Sequence, residues 1–139
     1  MATLFTRIIE GEIPGTFVWK DERCVAFLSI NPLRTGHTLV VPRMEIDHWI
    51  DCPPDLSEHL FTVARAIGRA LQLAFRPTRV GLMIAGLEVP HLHIHLVPID
   101  GVHDLDFANA KSVERQELDE AASLIRDQLR SSGLSGVSD

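Results

Sequence analysis

Cysteine is scarce in this chain of 139 residues: there are two, Cys24 and Cys52, and they form no C-x-x-C pair. That excludes a disulfide scaffold and leaves two reduced thiols of a cytosolic protein as the plain reading. Positive charge is also short, with thirteen Lys and Arg against nineteen Asp and Glu and a formal net charge of −6. Broad electrostatic binding to nucleic acid or to an anionic membrane is therefore not expected, although a local field can still hold one phosphate. No apolar run approaches the roughly 20 residues of a membrane span. The N-terminal stretch carries Arg7 and Glu10 and lacks the continuous apolar region of a cleaved signal, so the cytoplasm is the expected location. Internal repeats, low-complexity tracts and long linkers are missing. Gly81 and Gly86 do not make a glycine-rich phosphate loop.

What is present is the composition of an ordinary folded protein, 45% hydrophobic and 23% charged. A chain of this length can bury one sizeable core, and a single domain over residues 1–132 is expected, with 133–139 as a flexible tail. Leu4, Phe5, Ile8 and Ile9 suit a short helix that Gly11 and Pro14 stop. Thr16 to Lys20 and Arg23 to Ile30 read as a hairpin, and His37 to Val41 as a third strand ended by Pro42. Asp55, with Glu58 three residues later, is placed to open a long helix through a capping box. Its stripe is Leu56, Leu60, Val63, Ile67, Leu71 and Ala74, closed by Arg76 and Pro77. Arg79 to Ile84 and Leu92 to Ile99 read as further strands. The stripe Leu118, Ala122, Ile125, Leu129 predicts a last helix over about 112–132, with Gly133 after its end. Strands, a long helix, more strands and a helix make an α+β order, and short loops among the first three strands favour antiparallel pairing.

The chemistry is concentrated in Val89-Pro90-His91-Leu92-His93-Ile94-His95-Leu96. Alternation along a strand would bring His91, His93 and His95 to one face and Leu92, Ile94 and Leu96 to the core. Packing alone explains three imidazoles poorly, because apolar residues would fill the space without desolvating six ring nitrogens. Two chemical readings stand beside the structural one. Imidazoles at i and i+2 can hold a metal with a third ligand. Without metal, one neutral imidazole can attack phosphorus while a second donates to a phosphate oxygen or protonates a leaving group. Outside this segment, His48, His59 and His103 read as isolated surface residues. Arg34 and Arg43 flank His37 and read as surface residues or as phosphate-steering groups, and Trp19 and Trp49 as packing or interface residues.

His91-x-His93-x-His95 resembles the signature of the histidine triad (HIT) superfamily. Gly11-Glu12-Ile13-Pro14, Ala26-Phe27-Leu28 and Gly36-His37-Thr38-Leu39-Val40-Val41-Pro42 match its other landmarks over residues 3–99. The resemblance implies a HIT-like α+β fold: a five-stranded antiparallel sheet, one long central helix and a C-terminal helix, in a homodimer. It implies an enzyme without a metal or other cofactor that hydrolyses or transfers at the α-phosphate of a purine nucleotide or nucleotide conjugate. By that resemblance His93 is the nucleophile, His95 contacts phosphate and helps the leaving group, His91 supports the site and His37 orients the imidazoles. Phe5, Ile8, Phe27 and Ile30 would form the base pocket. Ser29 stands where relatives carry an aspartate that grips the ribose, and loses the charged bidentate grip. Glu88 stands in place of a hydroxyl; as a carboxylate it would repel phosphate, and as a raised-pKa acid it would donate a proton. A zinc clasp held by two N-terminal cysteines in some relatives is not expected, because Thr3, Thr6 and Glu45 occupy its ligand positions.

Overall fold

The computed structural model describes residues 1–139. Alternation along the strands puts apolar side chains on both faces of one sheet, so two cores form. Its strands are β1 (Phe17–Lys20), β2 (Cys24–Leu28), β3 (Thr38–Pro42), β4 (Arg79–Met83) and β5 (Ile94–Ile99), in the spatial order β1-β2-β3-β5-β4. Every pairing is antiparallel, as expected. Every residue of β2 and β3 is buried, which is why both read as nearly continuous apolar runs.

One face carries the larger core. Val18, Ala26, Val40, Ile94 and Leu96 from the sheet meet Leu56, Leu60, Val63, Ile67 and Leu71 of α2 (Pro54–Phe75). Leu118, Ala122, Ile125 and Leu129 of α3 (Arg115–Ser131) close it. Each large aliphatic side chain fully buried there contributes about 1.5–3 kcal/mol. The opposite face has a smaller cluster of Phe5, Val25, Phe27, Leu39 and Val41 beneath α1 (Leu4–Ile9). Thr3 caps α1 by accepting the Thr6 N–H at 3.1 Å. Because Ile94 and Leu96 enter the larger core, His95 between them points to the α1 face.

Three expectations need correction. The capping box at α2 is not formed: Pro54 starts the helix, and Asp55 reaches across to Arg23 at 3.0 Å. Proline is at home in a helix's first position, where its missing N–H costs nothing, and Asp55 still complements the dipole. The last strand starts at Ile94 rather than Leu92. Residues 133–139 are not loose either. Lys20 N–H donates to the Gly136 carbonyl at 2.9 Å, Ser138 N–H donates to Val18 O at 3.1 Å, and Val137 bridges Trp19. The tail thus covers the open edge of β1 that a sheet must otherwise protect. No helix is long and apolar enough to cross a membrane.

His59 is not isolated. The Asp21 carboxylate accepts from Trp19 Nε1 at 2.8 Å and from the Arg23 and Cys24 N–H groups at 2.8 Å each, and it meets His59 Nε2 at 2.7 Å. Partial burial works against its charge, but these four donors hold the carboxyl far below the usual range. Burial beside Asp21 pushes the Cys24 thiol up. This cluster ties α2 to the first hairpin and anchors the indole against which the tail lies.

A Cβ on Gly136 would run into the Trp19 indole. Gly136→Ala is expected to detach the tail and to lower unfolding free energy by about 1–3 kcal/mol, the usual cost of overpacking. Denaturant melts and amide exchange at Lys20 measure both effects.

Candidate active site

The histidine segment is half strand and half turn. His91 N–H closes a turn onto Val89 O at 2.8 Å, and Leu92 N–H donates to Ile46 O at 2.6 Å before the ladder begins at Ile94. The three imidazoles therefore do not project side by side. His91 turns away and is fully buried, its Nε2–H donating to Pro42 O at 2.8 Å and its Nδ1 accepting from Thr3 Oγ1 at 2.6 Å. His93 and His95 share one cleft, with ring centroids 4.8 Å apart.

Hydrogen bonds settle which nitrogen carries each proton. Leu33 N–H donates to His37 Nδ1 at 3.1 Å, so the proton of neutral His37 is on Nε2. That N–H reaches His95 Nδ1 at 2.9 Å and makes it an acceptor, so the proton of His95 is on Nε2, facing the cleft. His95 Nε2 has no closer partner than Glu88 Oε2 at 3.4 Å. Burial and the adjacent imidazoles push His37 down to about 3. Burial, with His93 adding to it, pushes His95 down to about 4. Both rings are neutral at physiological pH. His93 has the opposite arrangement: its Nδ1–H donates to His91 O at 2.8 Å, so the tautomer bears its lone pair on Nε2. Phe5 lies edge-on to that ring at 4.9 Å and holds it in place.

The cleft has a volume of about 340 Å³, within the range of small-molecule sites. Phe5, Ile8, Phe27, Ser29, Ile30, His37, Glu88, His93 and His95 all line it. Of the catalytic and nucleotide-binding residues that the resemblance implied, only His91 does not. Phe107, whose ring is 5.3 Å from His95, and Ala110 add a wall that carried no sequence signal, since both lie on the irregular segment after β5. Surface hollows beside Arg43 and beside Trp49 have no buried titratable group.

Neither candidate arginine lines the cleft. Arg34 is held by Asp104 at 2.6 Å and Asp100 at 3.1 Å, and Arg43 donates to Asp21 O at 2.8 Å. Glu88 is the correction of most chemical weight. Its Oε2 sits 3.1 Å from His93 Nε2, and it is not the raised-pKa acid of one expectation. Partial burial pulls its pKa upward, yet the His93 bond keeps it below the usual carboxylate value in this resting arrangement.

Two clusters have metal-like spacing, Glu88 with His93 and His95, and Asp21 with Cys24 and His59. In the first, His95 presents a proton rather than a lone pair. In the second, the thiol stays protonated and the carboxylate is already saturated with donors. The zinc-clasp position is filled by hydrogen bonds: Thr6 Oγ1 and Thr3 N–H both donate to Glu45 Oε2 at 2.7 Å, and Thr3 Oγ1 reaches His91. Hydroxyls and one carboxylate engaged in this way do not fit a thiolate zinc site.

A five-stranded antiparallel sheet bearing an ordered run of imidazoles over an apolar cleft defines the class. The chain belongs to the HIT family, whose domain model matches residues 10–102. It is 35% identical over 121 residues to an uncharacterized HIT-like protein of Methanocaldococcus jannaschii, covering 83% of this chain and 94% of that one. It is 31% identical over 98 residues to an adenosine 5′-monophosphoramidase of Saccharomyces cerevisiae, covering 70% of this chain and 62% of that one. The crystal structure of a zinc-bound histidine triad family protein from Mycobacterium smegmatis superposes with a TM-score of 0.82 at 27% identity, covering 96% of each chain.

The buried neutral imidazoles give stability a definite pH dependence. His37 and His95 have folded pKa values below the ordinary 6.5. The unfolded chain therefore binds more protons between that value and the folded ones, and stability complete above about pH 6.5 is lost as pH falls toward 4. Urea midpoints measured from pH 7 to pH 4 should decline, with a shallower slope in His37→Gln.

Proposed function

We propose that the chain is a nucleotide hydrolase or nucleotidyl transferase acting at the α-phosphorus of nucleoside phosphoramidates or related mononucleotide conjugates. The observation that carries this reading is the His93 Nδ1–H bond to the His91 carbonyl, which leaves Nε2 as the nucleophilic nitrogen facing the cleft. Attack by Nε2 forms an N–P bond as the leaving group departs, and water then releases the nucleoside monophosphate. The Nε2–H of His95 donates to a non-bridging oxygen as charge develops there. His37 keeps His95 in the donor tautomer, and His91 anchors the turn whose carbonyl orients the nucleophile. Phe5, Ile8, Phe27 and Ile30 take the base, and the Ser29 hydroxyl serves the ribose. The reaction needs no metal, so exhaustive chelation should leave the rate unchanged. The family membership and the phosphoramidase among the relatives support this substrate class.

Two free buried thiols suit a cytoplasmic setting. The unpaired outer edge of β4, where Leu82 is exposed, suits a homodimer and can be tested by sedimentation at micromolar concentration. A second reading, a nucleotide-binding regulatory protein with little turnover, is favoured by the Glu88 carboxylate lying over the nucleophile. Calorimetry with AMP beside a turnover assay separates the two.

Incubation with an adenosine phosphoramidate should yield a nucleotidyl adduct detectable by intact mass after acid-free quenching. His93→Ala is expected to form none and to lose turnover by about 10³-fold or more, as when a nucleophile is removed. Turnover at the wild-type rate in that variant would overturn the mechanism.

A further inference from the structure

Glu88 lies where an anionic substrate should find an enemy. Its Oε2 is 3.1 Å from His93 Nε2 and 3.4 Å from His95 Nε2, at the mouth of a cleft suited to phosphate chemistry. The contact with His93 has a strict requirement. With Nδ1–H committed to the His91 carbonyl, neutral His93 has a bare lone pair on Nε2, and a carboxylate oxygen offers only lone pairs. Two acceptors at hydrogen-bond distance need a proton between them, so the resting pair holds one proton that the isolated tautomers do not supply.

We propose that Glu88 is the acid–base residue of the cleft: it takes that shared proton as substrate arrives, frees His93 Nε2 to attack, and hands the proton to the leaving group. The proposal rests on the reading of His93 as the nucleophile. In the free protein the His93 bond holds the Glu88 carboxyl below the usual range against the opposing effect of partial burial, so Glu88 rests as the carboxylate. A phosphate beside the carboxylate reverses the preference, because two anions in one cleft cannot both stay charged cheaply. The ionisable side chains lining the cleft besides Glu88 are His37, His93 and His95. His37 and His95 are neutral and His95 already has its donor proton, so neither competes for the transfer. The Glu88 side chain is 41% exposed, within reach of a ligand entering the cleft, and its other oxygen accepts from the neighbouring Leu87 N–H at 3.1 Å.

The steps balance. His93 Nε2 forms a bond to phosphorus as the bond from phosphorus to the amine breaks. The electron pair of that bond stays on the departing nitrogen, which takes the carboxyl proton of Glu88. Water then attacks phosphorus and gives a proton to the Glu88 carboxylate, while the electron pair of the N–P bond returns to Nε2. Glu88 ends the cycle protonated, ready to share with His93 once product leaves.

The test uses two AMP derivatives that differ in their need for an acid. An alkyl phosphoramidate expels a basic amine and requires protonation, whereas a p-nitrophenyl ester expels an acidic phenol and does not. Glu88→Gln should slow formation of the His93 adduct from the amidate by about 10²–10⁴-fold, the worth of a general acid, and leave adduct formation from the aryl ester, read in the pre-steady-state burst before water attacks, nearly as fast as in wild type. His93→Ala should abolish both. Equal losses on both substrates in Glu88→Gln, or no loss on either, would overturn the role of Glu88 while leaving the nucleophile reading intact. Persistence of both activities in His93→Ala, or a wild type inert to both, would instead overturn that reading and this proposal with it. Nitrogen-15 NMR of the histidines in unmodified protein gives a readout that does not depend on the variant folding. His93 Nε2 should be protonated in the free protein and bare in the AMP complex. The same protonation state in both would refute the transfer.

Discussion

One backbone amide, Leu33 N–H, sets the chemistry of the cleft. It donates to His37 Nδ1, which forces the His37 proton onto Nε2, the acceptor role onto His95 Nδ1 and the His95 proton onto the face toward the cleft. The chain of donors runs from main chain to open site through two rings that are 2% and 4% exposed. No water can reorganise it there, and burial keeps both rings neutral, so the tautomers cannot drift at physiological pH. A second main-chain group, the His91 carbonyl, does the converse for His93. Two imidazoles whose centroids are 4.8 Å apart thus have opposite neutral tautomers, one with its proton toward the cleft and one with its lone pair there. Identical side chains acquire different jobs from the backbone atoms behind them.

The fold supplies those backbone atoms by using both faces of its sheet. The larger core beneath α2 and α3 consumes Ile94 and Leu96, which obliges His95 to face the other way. On that side the smaller cluster around Phe5 and Phe27 is too thin to close over it, and the gap is the cleft. Thr3, Thr6 and Glu45 form a hydrogen-bonded clasp on the N-terminal segment that ends on the buried ring of His91. His91 thereby couples the position of α1, and with it Phe5, to the turn that orients His93. Such a clasp is weaker than a metal site, since each neutral hydrogen bond contributes only about 0.5–1.5 kcal/mol net. It depends on α1 staying packed.

Periodicity made the elements legible and contact geometry made the site hard to read. The stripes of α2 and α3 and the nearly continuous apolar runs of β2 and β3 follow from burying one face or two, so the α+β order and antiparallel sheet could be read directly. The triad was legible as residues but not as an arrangement. Strict alternation places three rings on one face, whereas the ladder against β3 begins only at Ile94 and leaves His91 free to turn inward. Ser131 to Asp139 has the composition of a tail, yet its fate is decided by the indole of Trp19, more than 100 positions away. The Phe107 wall, the pairing of Arg34 with Asp100 and Asp104, and the approach of Glu88 to His93 are likewise long-range or loop-borne contacts. No local pattern encodes them.

The absence of a free cation from the cleft constrains how an anionic ligand could be held. Arg34 and Arg43 are committed elsewhere, no other Lys or Arg lines the site, and the whole chain is negatively charged. A phosphate there would rely on N–H donors, which act by direction at short range rather than by field, so long-range steering contributes little. On the proposed reading, affinity would come mainly from the apolar floor of Phe5, Ile8, Phe27 and Ile30, where burial would gain about 25 cal/mol per Å² of apolar surface. A ligand with an apolar part would gain affinity there that inorganic phosphate and other small anions cannot. On that same reading, preference for a phosphate carrying a large flat substituent would follow from the apolar floor rather than from a cationic grip.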